Sequence, residues 1–451
     1  MTTLPRTLGL RDLIFLTIGS VIGSGIFLVP GAVLRQVNGF VIPALLVWLI
    51  GGVLSLLGAL TYGELAALKP AAGGLYVYIR DCFGRFPAFL FGWTLFFVIS
   101  SGAVATLAVA FSAYLGEIVP LTPLLAKCIS VLMIAVVTVV NVLGTRKSSD
   151  LQNWTTAAKV IGILLMSLVL LCLGRRFEGS SPTLWPEQLD ASLASGFGLA
   201  MISVLWAYEG WQFVTYNAGE VVNARRNFPL GLVIGTASLV GIYLVANLGY
   251  LAALGGIGVA NSDRLAATAV STVIAPAAVK LITIMILISI LSATNGTMLS
   301  SPRVYYAMAR DGLFFQRLAQ LHPRFQTPAF AVIAGALWSA ILAITGTFDQ
   351  LLTYVIFIGW IFYALAGAAI FVYRRRMPEV VRSFPVPAYP ITPLLFVIAA
   401  AALALNTIVT QPTRSGIGIA IVFLGTPAYF IWRHKTARIE SRLDKSNATA
   451  F

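Results

Sequence analysis

Long apolar runs separated by short polar segments dominate the pattern along this chain of 451 residues. A helix that crosses a bilayer needs about 20 mainly apolar residues. Runs of about that length cover residues 12–34, 41–68, 86–116, 124–144, 152–173, 193–219, 230–254, 272–299, 328–346, 351–373, 388–410 and 415–432. Open sheets cannot satisfy their backbone in hydrocarbon, and the runs alternate too little for barrel strands. The pattern therefore predicts an all-α polytopic membrane protein with twelve transmembrane helices.

Composition indicates that lipid is the main solvent around the fold. Hydrophobic residues make up 59% of the chain and charged residues 10%, and the mean hydropathy is +0.90. A soluble domain averages about a quarter charged residues. The first apolar run continues to Leu34, which is long for a signal peptide, so we expect it to remain as a mature helix. No metal or disulfide spacing relates the cysteines and histidines, which are Cys82, Cys128, Cys172, His322 and His434.

The distribution of lysine and arginine orients the bundle. With the N-terminus placed in the cytoplasm, the inner segments carry 22 of these residues and the outer segments carry 6. Cytoplasmic loops are enriched in lysine and arginine, so we expect both termini to lie in the cytoplasm of a multi-pass protein of the cell (plasma or inner) membrane. The same distribution accounts for the formal net charge of +14. Because the basic residues occur in every inner loop and not on one face, they do not favour nucleic-acid binding.

Two predicted spans contain an interruption. Helix 1 reads GSVIGSGIF at 19–27, and helix 6 reads LWAYEGWQ at 205–212. Glycine costs about 1 kcal/mol relative to alanine inside a helix, and interrupted spans at matching places indicate inverted repeats in transporters. The alternative is close helix packing through small residues. The interruptions are five spans apart, which predicts a 5+5 inverted-repeat fold with broken helices 1 and 6. The single transporter domain then consists of repeats at 10–173 and 193–375, two additional helices at 388–432 and a cytoplasmic tail at 433–451.

A broken helix offers charged ligands its unpaired backbone groups. Amides at the start of one half attract an anion, and carbonyls at the end of the other half attract a cation. Two such breaks suit a zwitterion, as an α-amino acid is. We expect the carboxylate to meet amides around Ser24, Gly25 and Ile26. We expect the ammonium to meet the carbonyls near Val21, Ile22, Trp206 and Ala207.

Several fragments along nearly the whole chain together resemble one family. They are GSGIF at 23–27, YGEL at 62–65, GGLYVY at 73–78, FGRFPAFLFGW at 83–93, TAAK at 156–159, WAYEGW at 206–211, NFP at 227–229, NG at 295–296 and SPR at 301–303. In order and spacing the chain resembles the amino acid–polyamine–organocation superfamily, and within it the L-type amino acid transporter branch. The resemblance implies a twelve-helix fold of the 5+5 type, alternating access and no cofactor.

The resemblance also implies roles for single residues. In the family, the GSG stretch binds the substrate carboxylate through its backbone, which here corresponds to Gly23, Ser24 and Gly25. The aromatic residue that opens the helix 6 motif acts as an extracellular gate, and that position is Trp206. The same motif contributes three further expected substrate contacts, which are Tyr208, Glu209 and Trp211.

Lys159 lies well inside the fifth span. A buried ammonium group must be hydrogen-bonded or paired, or it loses its proton. The family's lysine on helix 5 falls on this position, and in sodium-coupled relatives a sodium ion joins helix 1 to helix 8 at about this depth. We expect the Lys159 ammonium to stand in for that ion, which predicts sodium-independent transport. The alternative is a lysine that extends to the membrane interface.

Glu209 lies inside the helix 6 interruption, and an acid at membrane depth indicates function by default. Three interpretations remain open. The carboxylate could balance a cationic substrate side chain, as an acid at this position does in some L-type relatives. It could carry a coupled proton. It could also simply bond backbone amides that the break leaves free.

Two departures from the family pattern bear on binding and partners. Gly359 precedes Trp360 of helix 10, where many relatives have asparagine, so one polar pocket contact is missing. Eukaryotic L-type members have a cysteine in the loop after helix 3 that links them to a heavy chain. The loop from Gly116 to Pro123 has none, so we expect no disulfide-linked heavy chain.

The sequence therefore predicts a sodium-independent exchanger or facilitator of neutral L-amino acids, and of cationic ones if Glu209 supplies a counter-charge. The first alternative is a proton-coupled symporter that uses Glu209, and the second is a receptor that binds amino acids without transport. An enzyme is not favoured, because no set of nucleophile, base and orienting group is evident.

Overall fold

The computed structural model describes residues 4–174, 184–188, 190–262, 264–274, 279–346, 348–410 and 412–448. Across these ranges the regular structure is helical, and the one β-type pairing is an isolated bridge between Leu8 and Val221. In chain order the α-helices are α1 Leu10–Val21, α2 Gly25–Gln36, α3 Val41–Leu68, α4 Leu75–Phe83, α5 Arg85–Thr94, α6 Ser100–Leu115, α7 Pro123–Val142, α8 Thr145–Leu173, α9 Ala191–Ala207, α10 Ala224–Ala260, α11 Leu265–Val273, α12 Val279–Ser300, α13 Pro302–Arg310, α14 Ala329–Thr345, α15 Phe348–Arg376, α16 Ile391–Thr410 and α17 Pro412–Ala448. A π-helical turn, Leu95–Ile99, joins α5 to α6, and 3-10 helices cover Trp211–Glu220 and Gln316–Ala319.

The first predicted interruption is a break in the helix. Helix α1 ends at Val21, α2 begins at Gly25, and the two are bent by 49°. Ile22 between them has an extended backbone, with φ −70° and ψ 92°. The last carbonyls of α1 and the first amides of α2 therefore open into the interior of the bundle, where neither half can satisfy the other.

The second interruption also breaks its span, and the half that follows is not an α-helix. Helix α9 ends at Ala207, and a 3-10 helix of 10 residues runs from Trp211 to Glu220. Gly210 joins them at φ 125°, a value that disfavours residues with a side chain. A Cβ atom on Gly210 would lie 2.7 Å from the carbonyl oxygen of Ser20, so this turn rests directly on α1. Runs of 3-10 helix longer than three or four residues are uncommon, and the sequence pattern did not predict this one.

The spans follow most of the predicted ones. Nine helical stretches among the described residues are long and apolar enough to cross a bilayer, if α5 with α6, α9 with the 3-10 helix after it, and α12 with α13 each count as one stretch. The bent pair of α1 and α2 makes ten. Helix α14 is shorter, at 17 residues, and α15 covers the predicted tenth span. Two boundaries differ, because α12 begins at Val279 and not at the predicted residue 272, and α17 continues through the predicted tail to Ala448. The all-α membrane fold is confirmed; the count of twelve and the inverted-repeat layout stay predictions.

Small residues bring the broken helix 1 close to its neighbours. Helix α1 packs against α8, α10 and α12, and α2 packs against α9 and α10. A Cβ on Gly231 of α10 would lie 2.5 Å from Cβ of Leu13, and one on Gly235 would lie 2.7 Å from Cβ of Thr17. Close packing through small residues therefore does occur here. The glycines of α10 provide this close packing, and it is present together with the break in helix 1.

A buried ion pair joins four segments at the end of the bundle where α1 begins. Arg303 at the start of α13 donates from Nε to Oε2 of Glu220 at 2.6 Å, and both side chains are fully buried. Thr145 at the start of α8 donates to Oε1 of the same carboxylate at 2.8 Å. The backbone amides of Thr7 and Leu8 donate to the Glu220 carbonyl. The chain start, the end of the 3-10 helix, α8 and α13 are thereby held together.

Replacing Arg303 with glutamine is expected to destabilise the protein by about 3–5 kcal/mol, because Glu220 would remain buried without its counter-charge. Thermal unfolding of the detergent-solubilised protein would measure this as a lowered Tm. Arg264→Gln is the matched control, since Arg264 is 66% exposed in its pair with Glu117, and it should change stability by less than about 1 kcal/mol. Equal effects of the two variants would show that the buried pair has no special role.

Candidate substrate site

A small cavity lies between the two helix breaks, with a volume of about 60 Å³. Seven of the residues predicted to bind substrate line it, which are Val21, Gly23, Ser24, Gly25, Trp206, Ala207 and Glu209. The structure therefore brings the two interruptions together around one space, although they are about 180 residues apart in the sequence.

Glycine at the first break permits the close approach of the second. A Cβ on Gly25 would lie 3.0 Å from both Cα and Cβ of Ala207 and 3.5 Å from the Trp206 ring. On the opposite side, a Cβ on Gly23 would lie 3.4 Å from Cδ2 of Leu107. The GSG stretch is therefore in close contact with α9 at Gly25 and with α6 at Gly23, and all three of its residues line the cavity.

The amides at the start of α2 are the groups beside the cavity whose chemistry suits an anion. Gly25 and Ile26 are the first residues of that helix, so their N–H groups have no carbonyl one turn earlier in helical geometry. The next amide, that of Phe27, already donates to the Ser24 carbonyl at 3.1 Å. The positive end of the helix dipole adds to the attraction for a carboxylate.

The carbonyls at the end of α1 are unequally available. Ile22 already accepts from Lys159 Nζ at 2.5 Å and from Ser289 Oγ at 3.0 Å. A carbonyl oxygen has two lone pairs, and the single proton of the Ser289 hydroxyl is shared with the Gly23 carbonyl at 3.1 Å, so Ile22 keeps at most one acceptor position for a substrate ammonium. Val21 accepts only a long bond of 3.5 Å from the Tyr243 hydroxyl.

The second break presents two further carbonyls, each with one acceptor position in use. The Trp206 carbonyl accepts from the Glu209 amide at 3.0 Å. The Ala207 carbonyl accepts from the Tyr243 hydroxyl at 2.9 Å. Each keeps one lone pair, and both residues line the cavity.

Lys159 joins three structural elements. From α8 its ammonium donates to the carbonyls of Gly19 at 2.8 Å and Ile22 at 2.5 Å on helix 1, and to Ser289 on α12 at 3.3 Å. The side chain is fully buried, so the alternative of a lysine that reaches the interface is excluded. Within the described ranges no carboxylate pairs with it, and no three His, Cys, Asp or Glu side chains cluster as a metal site would require. The ammonium thus lies between the first span (α1 and α2) and the eighth predicted span (α12), which is the place that the resemblance implied.

Glu209 is held by side chains and not by the amides that the break frees. Its Oε1 accepts from Gln212 Nε2 at 2.6 Å and from the Tyr363 hydroxyl of α15. The amide of Gly210 bonds to Gln212 Oε1 at 3.2 Å instead. No described residue donates to Oε2, and Glu209 lines the cavity. The carboxylate is therefore anchored through one oxygen and presents the other to the cavity.

Four predicted contacts lie elsewhere. The side chains of Ile22 and Ile26 are fully buried and do not line the cavity, so only their backbone groups could take part in binding. Tyr208 turns towards α3, where its hydroxyl donates to the Trp48 carbonyl at 3.2 Å. Trp211 packs against the ring of Tyr62, with centroids 5.3 Å apart. On either side of Gly210, the side chains of Tyr208 and Trp211 are buried against α3 and not at the cavity. Adjacency to the break in sequence therefore did not place them at the site.

The sequence analysis missed part of the wall. These residues are Ser20 at the first break, Ala103, Thr106 and Leu107 on α6, Phe213 on the 3-10 helix, and Ala293 and Thr297 on α12. It also missed Tyr363, which sits where the short Gly359 leaves room: a Cβ on Gly359 would lie 3.0 Å from the Tyr363 hydroxyl. Ser20 lies within the interrupted stretch and could have been found from it; the others show no local signal.

Comparison with known proteins agrees with the all-helical membrane fold. The chain matches the amino acid permease family over residues 8–427. It is 31% identical over 438 residues to the serine/threonine exchanger SteT of Bacillus subtilis, with 96% of this chain and 98% of the relative covered. It is 32% identical to human b(0,+)-type amino acid transporter 1, covering 96% and 89%, and 30% identical to mouse large neutral amino acids transporter small subunit 2, covering 96% and 82%. The chain belongs to the amino acid permease family, in the L-type-like branch of the amino acid–polyamine–organocation superfamily, and is a membrane transporter of amino acids and not an enzyme.

Proposed function

We propose that this transporter exchanges or facilitates the passage of neutral L-amino acids by alternating access, without sodium. The observation that supports this best is a cavity between two broken helices, with free amides on one side and part-free carbonyls on the other. The repeats at 10–173 and 193–375 would move against each other around this site, in a cell membrane with both termini in the cytoplasm.

The amides of Ser24, Gly25 and Ile26 would hold the substrate carboxylate, as the resemblance implies. The ammonium would meet the carbonyls of Val21 and, across the cavity, of Trp206 and Ala207. Ile22 is left out because its carbonyl already accepts from Lys159 and the residue does not line the cavity. Trp206 lines the cavity beside Gly25, which fits a gate that closes over the substrate.

Uptake of labelled L-alanine into proteoliposomes that contain unlabelled amino acid is expected to be the same in sodium and choline buffers, within about twofold. The reason is that the Lys159 ammonium already bonds the helix 1 and helix 8 carbonyls that a sodium ion would need. A sodium requirement of tenfold or more in the initial rate would contradict sodium independence.

Proton-coupled symport is the second candidate, because Glu209 presents one carboxylate oxygen to the cavity. In the proposed exchanger, Glu209→Gln should retain neutral exchange within about tenfold, since glutamine keeps the Oε1 acceptor for Tyr363 and Gln212. Its pH profile should match that of the wild type and of the control Glu117→Gln. Loss of pH-driven accumulation in the Glu209 variant alone would favour the symporter, and selective loss of lysine and arginine uptake would assign the carboxylate to cationic substrates.

We further propose that the chain transports without a disulfide-linked heavy chain. The loop 116–123 has no cysteine, Cys82 is buried, and Cys128 and Cys172 lie on exposed faces of α7 and α8. Transport by the purified single chain in liposomes would support this proposal, and inactivity restored only by a second protein would oppose it.

A further inference from the structure

Two hydroxyl groups at the cavity wall have no hydrogen-bond partner. Ser20 of α1 is 7% exposed and Thr106 of α6 is 3% exposed. Their Oγ and Oγ1 atoms bond to nothing in the part of the chain that the structure describes, and both residues line the cavity. Buried polar groups are almost always satisfied, and an unpaired one is unfavourable. A molecule bound in the cavity can supply the missing hydrogen bonds of these two hydroxyl groups.

The state of Thr106 differs from that of a typical threonine in a helix. Thr94 of α5, for example, donates to the Leu90 carbonyl one turn earlier at 2.7 Å, which is the common arrangement. Thr106 makes no such bond within α6. Thr236 and Thr426 also lack partners, but neither lines the cavity, whereas the buried Ser20 and Thr106 hydroxyls both lie where a bound substrate can satisfy them.

The wall around these hydroxyls leaves room for a short side chain only. The cavity measures about 60 Å³. Gly23 at one wall faces Leu107 and Ala293, and a Cβ on Gly23 would already lie 3.4 Å and 3.6 Å from their side chains. Phe213 closes the wall formed by the second break. A large aliphatic or aromatic side chain would require these groups to move.

We propose that the cavity selects small amino acids with a side-chain hydroxyl, of the serine and threonine type. This inference rests on the proposed amino acid transport. With its carboxylate on the α2 amides and its ammonium on the carbonyls, the substrate directs its side chain towards Thr106. Each hydroxyl can donate one hydrogen bond and accept others, so a substrate hydroxyl pairs with Thr106 and Ser20. A methyl group in its place leaves both unpaired.

The test compares isosteres in proteoliposomes that contain the full chain. Threonine and valine differ by a hydroxyl against a methyl group of similar size, and serine differs from alanine by the hydroxyl. For the wild type we expect threonine to inhibit labelled serine exchange about tenfold more strongly than valine does. Thr106→Val should reduce this ratio to about twofold or less. Thr94→Val removes a hydroxyl of similar burial outside the cavity and should keep the wild-type ratio.

Equal inhibition by threonine and valine in an active wild type would overturn the inference, and so would stronger inhibition by lysine than by threonine. A Thr106→Val variant that loses alanine and serine exchange alike would also oppose it, because the hydroxyl would then serve the structure and not selection. Absence of exchange of every amino acid by the wild type would instead contradict the proposed function.

Discussion

Replacing Lys159 with methionine is expected to lower amino acid exchange at least about a hundredfold, because the variant loses two or more charge-assisted hydrogen bonds to buried carbonyls. Methionine fills a similar volume but donates nothing. The Gly19 carbonyl would then be unpaired, the Ile22 carbonyl would keep only the Ser289 hydroxyl as a donor, and α1 would lose its link through α8 to Ser289 of α12. Initial rates of labelled L-alanine exchange in proteoliposomes measure the effect.

Lys280→Met is the matched control, since Lys280 is an exposed residue near the start of α12 and should leave exchange within about twofold of the wild type. A melting temperature for Lys159→Met within a few degrees of the wild type would show that the loss is not one of folding. Retained exchange in a folded Lys159→Met protein would mean that the ammonium does not organise helix 1.

Gly210→Ala is expected to abolish exchange and to destabilise the protein by about 3 kcal/mol or more, because it combines backbone strain with a steric clash. Gly210 has φ 125°, and an added Cβ would stand 2.7 Å from the Ser20 carbonyl oxygen. Relief of that contact would push the second break away from the first and open the carbonyl side of the cavity. Exchange rates and Tm together measure the two effects.

Gly144→Ala is the control that separates the effect of backbone strain from that of the steric clash with Ser20. Gly144 has φ 142°, but a Cβ there would meet no atom within 4 Å. This control should lose only about 1–2 kcal/mol and should retain exchange. If Gly144→Ala and Gly210→Ala were equally inactive, the contact between the two breaks would not be the cause of the lost exchange.

The breaks themselves could be predicted from the sequence because their cause is local. Clustered glycines at Gly19, Gly23 and Gly25 weaken one helix, and Glu209 with Gly210 interrupts the other. The depth of Lys159 followed from its position in an apolar run. Its bonding to helix 1 and α12 was implied by resemblance and is seen in the structure.

The rest of the site depends on which face each helix turns inwards, and local pattern does not determine this for helices that are apolar all round. Tyr208 and Trp211 adjoin the break but face α3, whereas Thr106 on α6 and Thr297 on α12 reach the cavity without any local signal. Tyr363 is separated from Glu209 by 154 residues, and only tertiary packing brings its hydroxyl to that carboxylate. The long 3-10 segment after Gly210 likewise reflects packing against α1.

A cryo-EM structure of the transporter with a bound amino acid measures most directly whether backbone groups at the two breaks hold a zwitterion. We predict carboxylate oxygens within hydrogen-bond distance, about 2.7–3.2 Å, of the amide nitrogens of Gly25 and Ile26, with the ammonium at the carbonyls of Val21 and Trp206. A carboxylate paired with a side-chain cation such as Lys159, or a substrate bound outside the space between α1–α2 and α9, would contradict the account.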